Sequence, residues 1–131
     1  MIITYIASLF SLLALDGVWI LLIAKKFYAE HLGFLFAPTV YTTPVAFFYP
    51  LYALAVTYLA VMPALSTHSW VDALIRGALL GLAAYGAYDL TNQATIAGWP
   101  TLVTLVDMGW GVAVSALSSV AAYWVTVLIL G

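Results

Sequence analysis

The chain has 131 residues, of which 66% are hydrophobic and 6% charged; its net charge is -2 and its mean hydropathy +1.15. A soluble domain carries about 25% charged residues, so three basic and five acidic side chains exclude a solvated globular surface and direct most of it to lipid. No basic patch exists, which argues against nucleic acid as a partner, and the absence of cysteine removes disulfides, thiolate metal sites and a Cys nucleophile together.

The length sets one domain, 1–131, as the expectation. A transmembrane helix needs about 20 mostly apolar residues, and four segments qualify. The first, 2–24, ends at Lys25-Lys26. It lacks a positive leading region and a small-residue cleavage site, so it reads as a retained helix rather than a signal peptide. The second, 42–62, is entered through Thr42-Thr43-Pro44 and left at Pro63; Pro50 inside it is expected to kink it or mark a wet or packed spot. The third is 72–97, ending before Gly98-Trp99-Pro100, and the fourth is 102–130. Between the first two lies KKFYAEHLGFLFAPTVYTT, too short to span but rich in Phe and Tyr, which reads as an interfacial or re-entrant segment. The other connections are short, so the expected fold is all-α: four transmembrane helices in an antiparallel bundle. The lysine pair places the first loop in the cytoplasm by the positive-inside rule. Trp70, Trp99 and Trp124 fall near span ends, as an aromatic belt does. Gly77 and Gly81 on the third span, and Gly111, Ser115 and Ser119 on the fourth, form small-residue seams of the kind that let helices approach closely.

Asp16, Asp89 and Asp107 lie inside spans. A charged residue at the bilayer centre costs about 2.5–3.5 kcal/mol on insertion scales, so something must offset them. At about 1.5 Å per residue they lie about 12, 13 and 8 Å deep, all measured from the side of loops one and three. They fall in one layer of one leaflet. Asp16-Gly17-Val18-Trp19 and Asp107-Met108-Gly109-Trp110 are both D-x-x-W, and Asp89-Leu90-Thr91-Asn92 is D-x-x-N. Residues three apart share a helix face, so each acid is expected to have a donor beside it: Trp19, Trp110 or Asn92. Tyr85 lies one turn before Asp89 on the same face. No Lys or Arg lies at that depth, although Lys25 or Lys26 reaches partway. Mutual repulsion and burial disfavour the charged forms. The expected ligand-binding set is therefore Asp16, Trp19, Tyr85, Asp89, Asn92, Asp107 and Trp110, around a polar pocket that holds a proton, a cation, or a ligand offering positive charge or hydroxyl donors. The alternative is that each acid is protonated and serves as helix–helix glue.

His31 and His68 are expected in loops, and neither has a second metal ligand at helix spacing, so no metal is expected. No nucleotide loop, Ser-His pair or haem motif is present, and no cofactor is expected.

With LALDGVW near the end of the first span, KKFY just after it, YDLTNQATIAGWP and VDMGWG, the chain resembles domain-of-unknown-function family 2177, small bacterial predicted membrane proteins. The resemblance covers nearly the full length. It implies a multi-pass protein of the bacterial inner membrane with no established activity, and the family's resemblance to neighbours of fatty-acid cyclopropanation and light or oxidative-stress genes in some bacteria points towards lipid. It marks Asp16, Trp19, Asp89, Asn92, Asp107 and Trp110 as motif positions without giving them roles.

Three functions are then open. A binding or transport protein would hold a lipid-like or cationic amphiphilic small molecule, with proton coupling. An intramembrane enzyme would use the carboxylates as general acid and base on a lipid or isoprenoid. An accessory subunit of a lipid-modifying system would use them only for assembly. The expected partners are membrane lipid, a hydrophobic small molecule and a second copy of the chain.

Overall fold

Apolar runs long enough to span a bilayer fold as helices because every backbone polar group must then be satisfied within the segment. The computed structural model describes all residues, Met1–Gly131, and is 88% helical with no strand. The first helix, α1 (Ile2–Leu35), is α-helical to Trp19 and widens to a π-helical turn over Ile20–Ala24. It resumes over Lys25–Leu32 and closes in a 3-10 turn, Gly33–Leu35. At about 1.5 Å per residue it is about 50 Å long, well beyond a hydrocarbon core of about 30 Å. The first part of the stretch expected as an interfacial or re-entrant segment, Lys25–Leu35, thus continues α1, and residues 36–41 link it without helix to the next helix. It is held because it finds a partner: Leu32 is buried against Trp99 and Val103, with Phe27, Tyr28 and Ile96 around them. His31 lies on this helical extension and not in a loop, donating Nδ1–H to the Phe27 carbonyl at 2.9 Å.

Helix α2 (Thr42–Ser66) runs through Pro50 and contains a second π-helical turn, Thr57–Val61. Helix α3 (Trp70–Thr95) starts at Ser69, whose side chain accepts the Asp72 N–H at 3.2 Å, and Arg76 pairs with Asp72 at 2.9 Å. The connection to α4 (Thr101–Leu130) turns at Gly98, whose φ of 80° is a left-handed conformation that costs glycine little.

Helices α1, α2 and α4 are long and apolar enough to cross a membrane. Four spans were expected; α3, at 26 residues, is long enough but carries Asp72, Arg76, Asp89, Asn92 and Gln93, and falls short in apolarity. Its place is set by its packing against α4, the closest helix pairing in the protein. The two small-residue seams are the two halves of that interface. A Cβ on Gly77 would meet Ser119 Oγ at 2.5 Å and the Ser115 carbonyl at 2.6 Å; one on Gly81 would overlap the Gly111 carbonyl. Between helices in lipid, van der Waals contact of this kind replaces the hydrophobic drive.

Leu12, Val56, Val61, Val114 and Ala122 fill the bundle centre, laced with hydroxyl pairs: Tyr52 with Ser115 at 2.6 Å, Thr57 to Ser8 at 3.1 Å and Thr126 to Thr4 at 3.1 Å. Large apolar side chains such as Leu21, Phe47 and Leu128 point outward to lipid. Trp70 and Trp124 are exposed, as a belt requires. Trp99 is buried, donating its indole N–H to Thr104 at 3.1 Å.

Candidate functional site

The polar half of the bundle is built where the α1 extension lies beside the start of α4. Helical Cα–Cβ bonds tilt towards the helix N-terminus. Tyr28, one turn past the π-helical turn, therefore leans back along α1, and its hydroxyl donates to Asp107 of α4 at 2.5 Å. Trp110 of α4 reaches the other way and donates its indole N–H to Asp16 at 2.8 Å. The Tyr49 hydroxyl of α2 donates to the second oxygen of Asp16. Trp19 stacks on Trp110, with ring centroids 4.5 Å apart and planes 6° from parallel.

These groups wall a cavity of about 300 Å³, lined by Asp16, Trp19, Tyr85, Asp107 and Trp110 together with Ile20, Ala24, Lys25, Tyr28 and Phe36. A second cavity of about 250 Å³ adjoins it, sharing Tyr28, Phe36 and Asp107 and adding Leu32, Tyr88, Asp89, Trp99 and Val103. A third, of about 390 Å³, lies towards α2 between Phe48, Tyr52, Ala84, Tyr85, Tyr88 and Asp107. Asp107 borders all three.

The three acids differ in what they meet. Asp16 has a donor on each oxygen, and Asp107 has one from Tyr28. Asp89 is 0% exposed, and neither of its oxygens has a hydrogen-bond partner. A buried polar group left without a partner costs about 1–3 kcal/mol, more when charged. No Lys, Arg or His nitrogen lies within 4.0 Å of any of the three; the ion pair Arg76–Asp72 lies elsewhere. Lys25 lines the same cavity as Asp16 and Asp107 without pairing to either.

Of the residues singled out in the sequence, five meet around the first cavity: Asp16, Trp19, Tyr85, Asp107 and Trp110. Asp89 lines the adjoining one, with Asp107 between the two. Asn92 lines none of the three and gives no hydrogen bond to Asp89. The expected pairing of each acid with the donor three residues on is also corrected. A side chain at i+3 shares the face but projects towards the neighbouring helix, so Trp110 serves Asp16 rather than Asp107, and Asp107 is served by Tyr28. Tyr28 and Tyr49 were not singled out from the sequence. Tyr28 stands in the KKFY motif, and Tyr49 precedes the helix-interior Pro50; these are the signals that point to them.

No curated protein and no solved structure matches the chain. Residues 1–124 match the family described as "Predicted membrane protein (DUF2177)", and over that extent, with its bundle of long apolar helices, the chain belongs to this family.

Proposed function

We propose that the protein binds, and carries within the membrane, an amphiphile with a positively charged head, with α3 serving as a fourth span. The observation that carries this reading is Asp89: wholly buried, unpartnered on both oxygens, and facing a cavity it shares with Asp107. A carboxyl in that state is neutral with a proton bound or paired with an incoming cation. The walls suit a cation as well. Trp19, Tyr28, Tyr85 and Trp110 present aromatic faces and edges around Asp16 and Asp107, and ammonium groups are held over such faces by the ring quadrupole. An arriving cation displaces the proton, which couples binding to proton release.

The test uses fluorescence of the cavity tryptophans. A bromine-tagged long-chain alkylamine is titrated into the purified full chain in detergent, with the matching bromine-tagged alcohol as the uncharged control. Saturable quenching by the amine, weakened about tenfold or more (about 1.4 kcal/mol) by Asp107→Asn, supports the reading. Equal quenching by amine and alcohol, or no response to the substitution, removes it.

A further inference from the structure

We infer that the head recognised at this site is zwitterionic: a primary ammonium joined through a short spacer to a phosphate, as in an ethanolamine phospholipid. The inference rests on the amphiphile site proposed above and names what fills it. A site for a simple cation has no use for a lysine, yet Lys25 lines the cavity that holds Asp16 and Asp107, and it has no carboxylate within 4.0 Å. The cavity therefore has two poles. The negative pole is Asp107 with Asp89 in the adjoining compartment. The positive pole is Lys25.

Both poles line one cavity. Lys25 and Tyr28 are three residues apart, on one face of α1, about 4.5 Å along the axis. The Tyr28 hydroxyl is 2.5 Å from Asp107. An ammonium at Asp107 and a phosphate at Lys25 thus fall within one cavity of about 300 Å³, which a compact head with a short spacer fits. The donors also count correctly. A primary ammonium carries three N–H groups, and Asp89 offers two oxygens without a partner beside Asp107. A quaternary ammonium has no N–H and leaves both Asp89 oxygens as they are.

Depth fits a membrane lipid rather than a soluble headgroup. Lys25 lies nine residues past Asp16, about 14 Å along α1, where a lysine side chain extends to the phosphate level while its stem stays in the apolar region. The helix surface before it, with Leu21 and Leu22 exposed, is apolar and suited to acyl chains.

The test is displacement of the bromine-tagged alkylamine from the full chain by four competitors: ethanolamine phospholipid, choline phospholipid, anionic glycerol phospholipid and free phosphoethanolamine. The expected result is displacement by the ethanolamine phospholipid at about tenfold lower mole fraction than by the choline or glycerol lipid. In Lys25→Gln the ethanolamine phospholipid, like the other two phosphate-bearing lipids, loses about tenfold in potency against the alkylamine, whereas Lys26→Gln, outside the cavity, leaves it unchanged. If the alkylamine binds but the lipids compete equally, or if Lys25→Gln competes as wild type does, the zwitterionic assignment is overturned and the cation site stands. Equal displacement by the choline lipid overturns the primary ammonium. Displacement by free phosphoethanolamine at matching concentration overturns the lipid. If the alkylamine itself shows no saturable quenching, the underlying amphiphile site fails as well.

Discussion

Trp110 donates its indole N–H to Asp16 across 94 residues of sequence, at 2.8 Å, while its face stacks on Trp19, three residues from that same aspartate. The two D-x-x-W motifs therefore form one clasp between α1 and α4. The aspartate of the first accepts from the tryptophan of the second, and the tryptophans close on each other. Trp110→Phe keeps a ring for the stack and removes the donor. Hydrogen bonds to charged acceptors contribute about 1.5–3 kcal/mol in water-soluble proteins, and interhelical ones in membranes about 0.6–1.7. A loss of about 1–2 kcal/mol is expected on thermal unfolding in detergent. Combined with Asp16→Asn, the two losses should add to less than their sum, because they remove one interaction. Strict additivity would show that the clasp carries no energy.

The α3–α4 seam gives a sharper steric test. Gly81→Ala drives a methyl into the Gly111 carbonyl and to 2.7 Å from Ser115 Oγ, and a backbone oxygen cannot turn aside. Overpacking costs about 1–3 kcal/mol. Gly17→Ala and Gly109→Ala put the same methyl into open space, where helix propensity favours Ala over Gly by about 1 kcal/mol. Unfolding midpoints should fall for the first and hold or rise for the other two. Equal behaviour of the three would mean that α3 and α4 are not in contact at this seam.

Tyr52 and Ser115 are linked at 2.6 Å between α2 and α4, buried among apolar side chains just beneath the acids. Tyr52→Phe leaves the ring and removes the hydroxyl. A loss of about 0.6–1.7 kcal/mol is expected, with little change in alkylamine quenching, since Tyr52 borders only the cavity towards α2 and not the two that hold Asp16 and Asp89. Quenching lost in parallel with stability would tie that third cavity to the ligand.

Helices α1, α2 and α4 were legible in the sequence because length and apolarity decide them, and the seams because glycine and serine at four-residue spacing let two helices approach closely. That the acids gather was legible from their positions along the spans: Asp16 and Asp107 line one cavity and Asp89 the adjoining one. What the sequence concealed is what side chains do across helices. Lys25-Lys26 reads as a helix end, since charge ends apolar runs, yet α1 continues because Leu32 finds Trp99 and Val103. Tyr28 and Tyr49 carry no signal of their own in the sequence, yet each donates to an acid on another helix. Trp99 reads as a belt residue, yet the turn at Gly98 folds it inward. No local pattern encodes the two tyrosine–acid pairs, because their partners are 33 and 79 residues away.

Asp89 separates a binding role from a structural one. A residue that glues helices loses stability when its hydrogen bonds go, but Asp89 makes none. Asp89→Asn keeps the volume, removes the exchangeable proton and the capacity to take up a cation, and breaks no hydrogen bond, so the unfolding midpoint should hold within about 0.5 kcal/mol of wild type or rise, since none of the mechanisms behind large losses applies. The same variant should weaken alkylamine quenching about tenfold or more and abolish the proton released on binding, measured as a pH change in weakly buffered detergent. Asp16→Asn is the contrast, because Asp16 is held on both oxygens by Tyr49 and Trp110. There stability should fall, through the loss of charge-assisted hydrogen bonds. If instead Asp89→Asn destabilises the bundle and leaves quenching and proton release intact, the acid serves assembly, and its empty surroundings close in the membrane through partners on neighbouring helices.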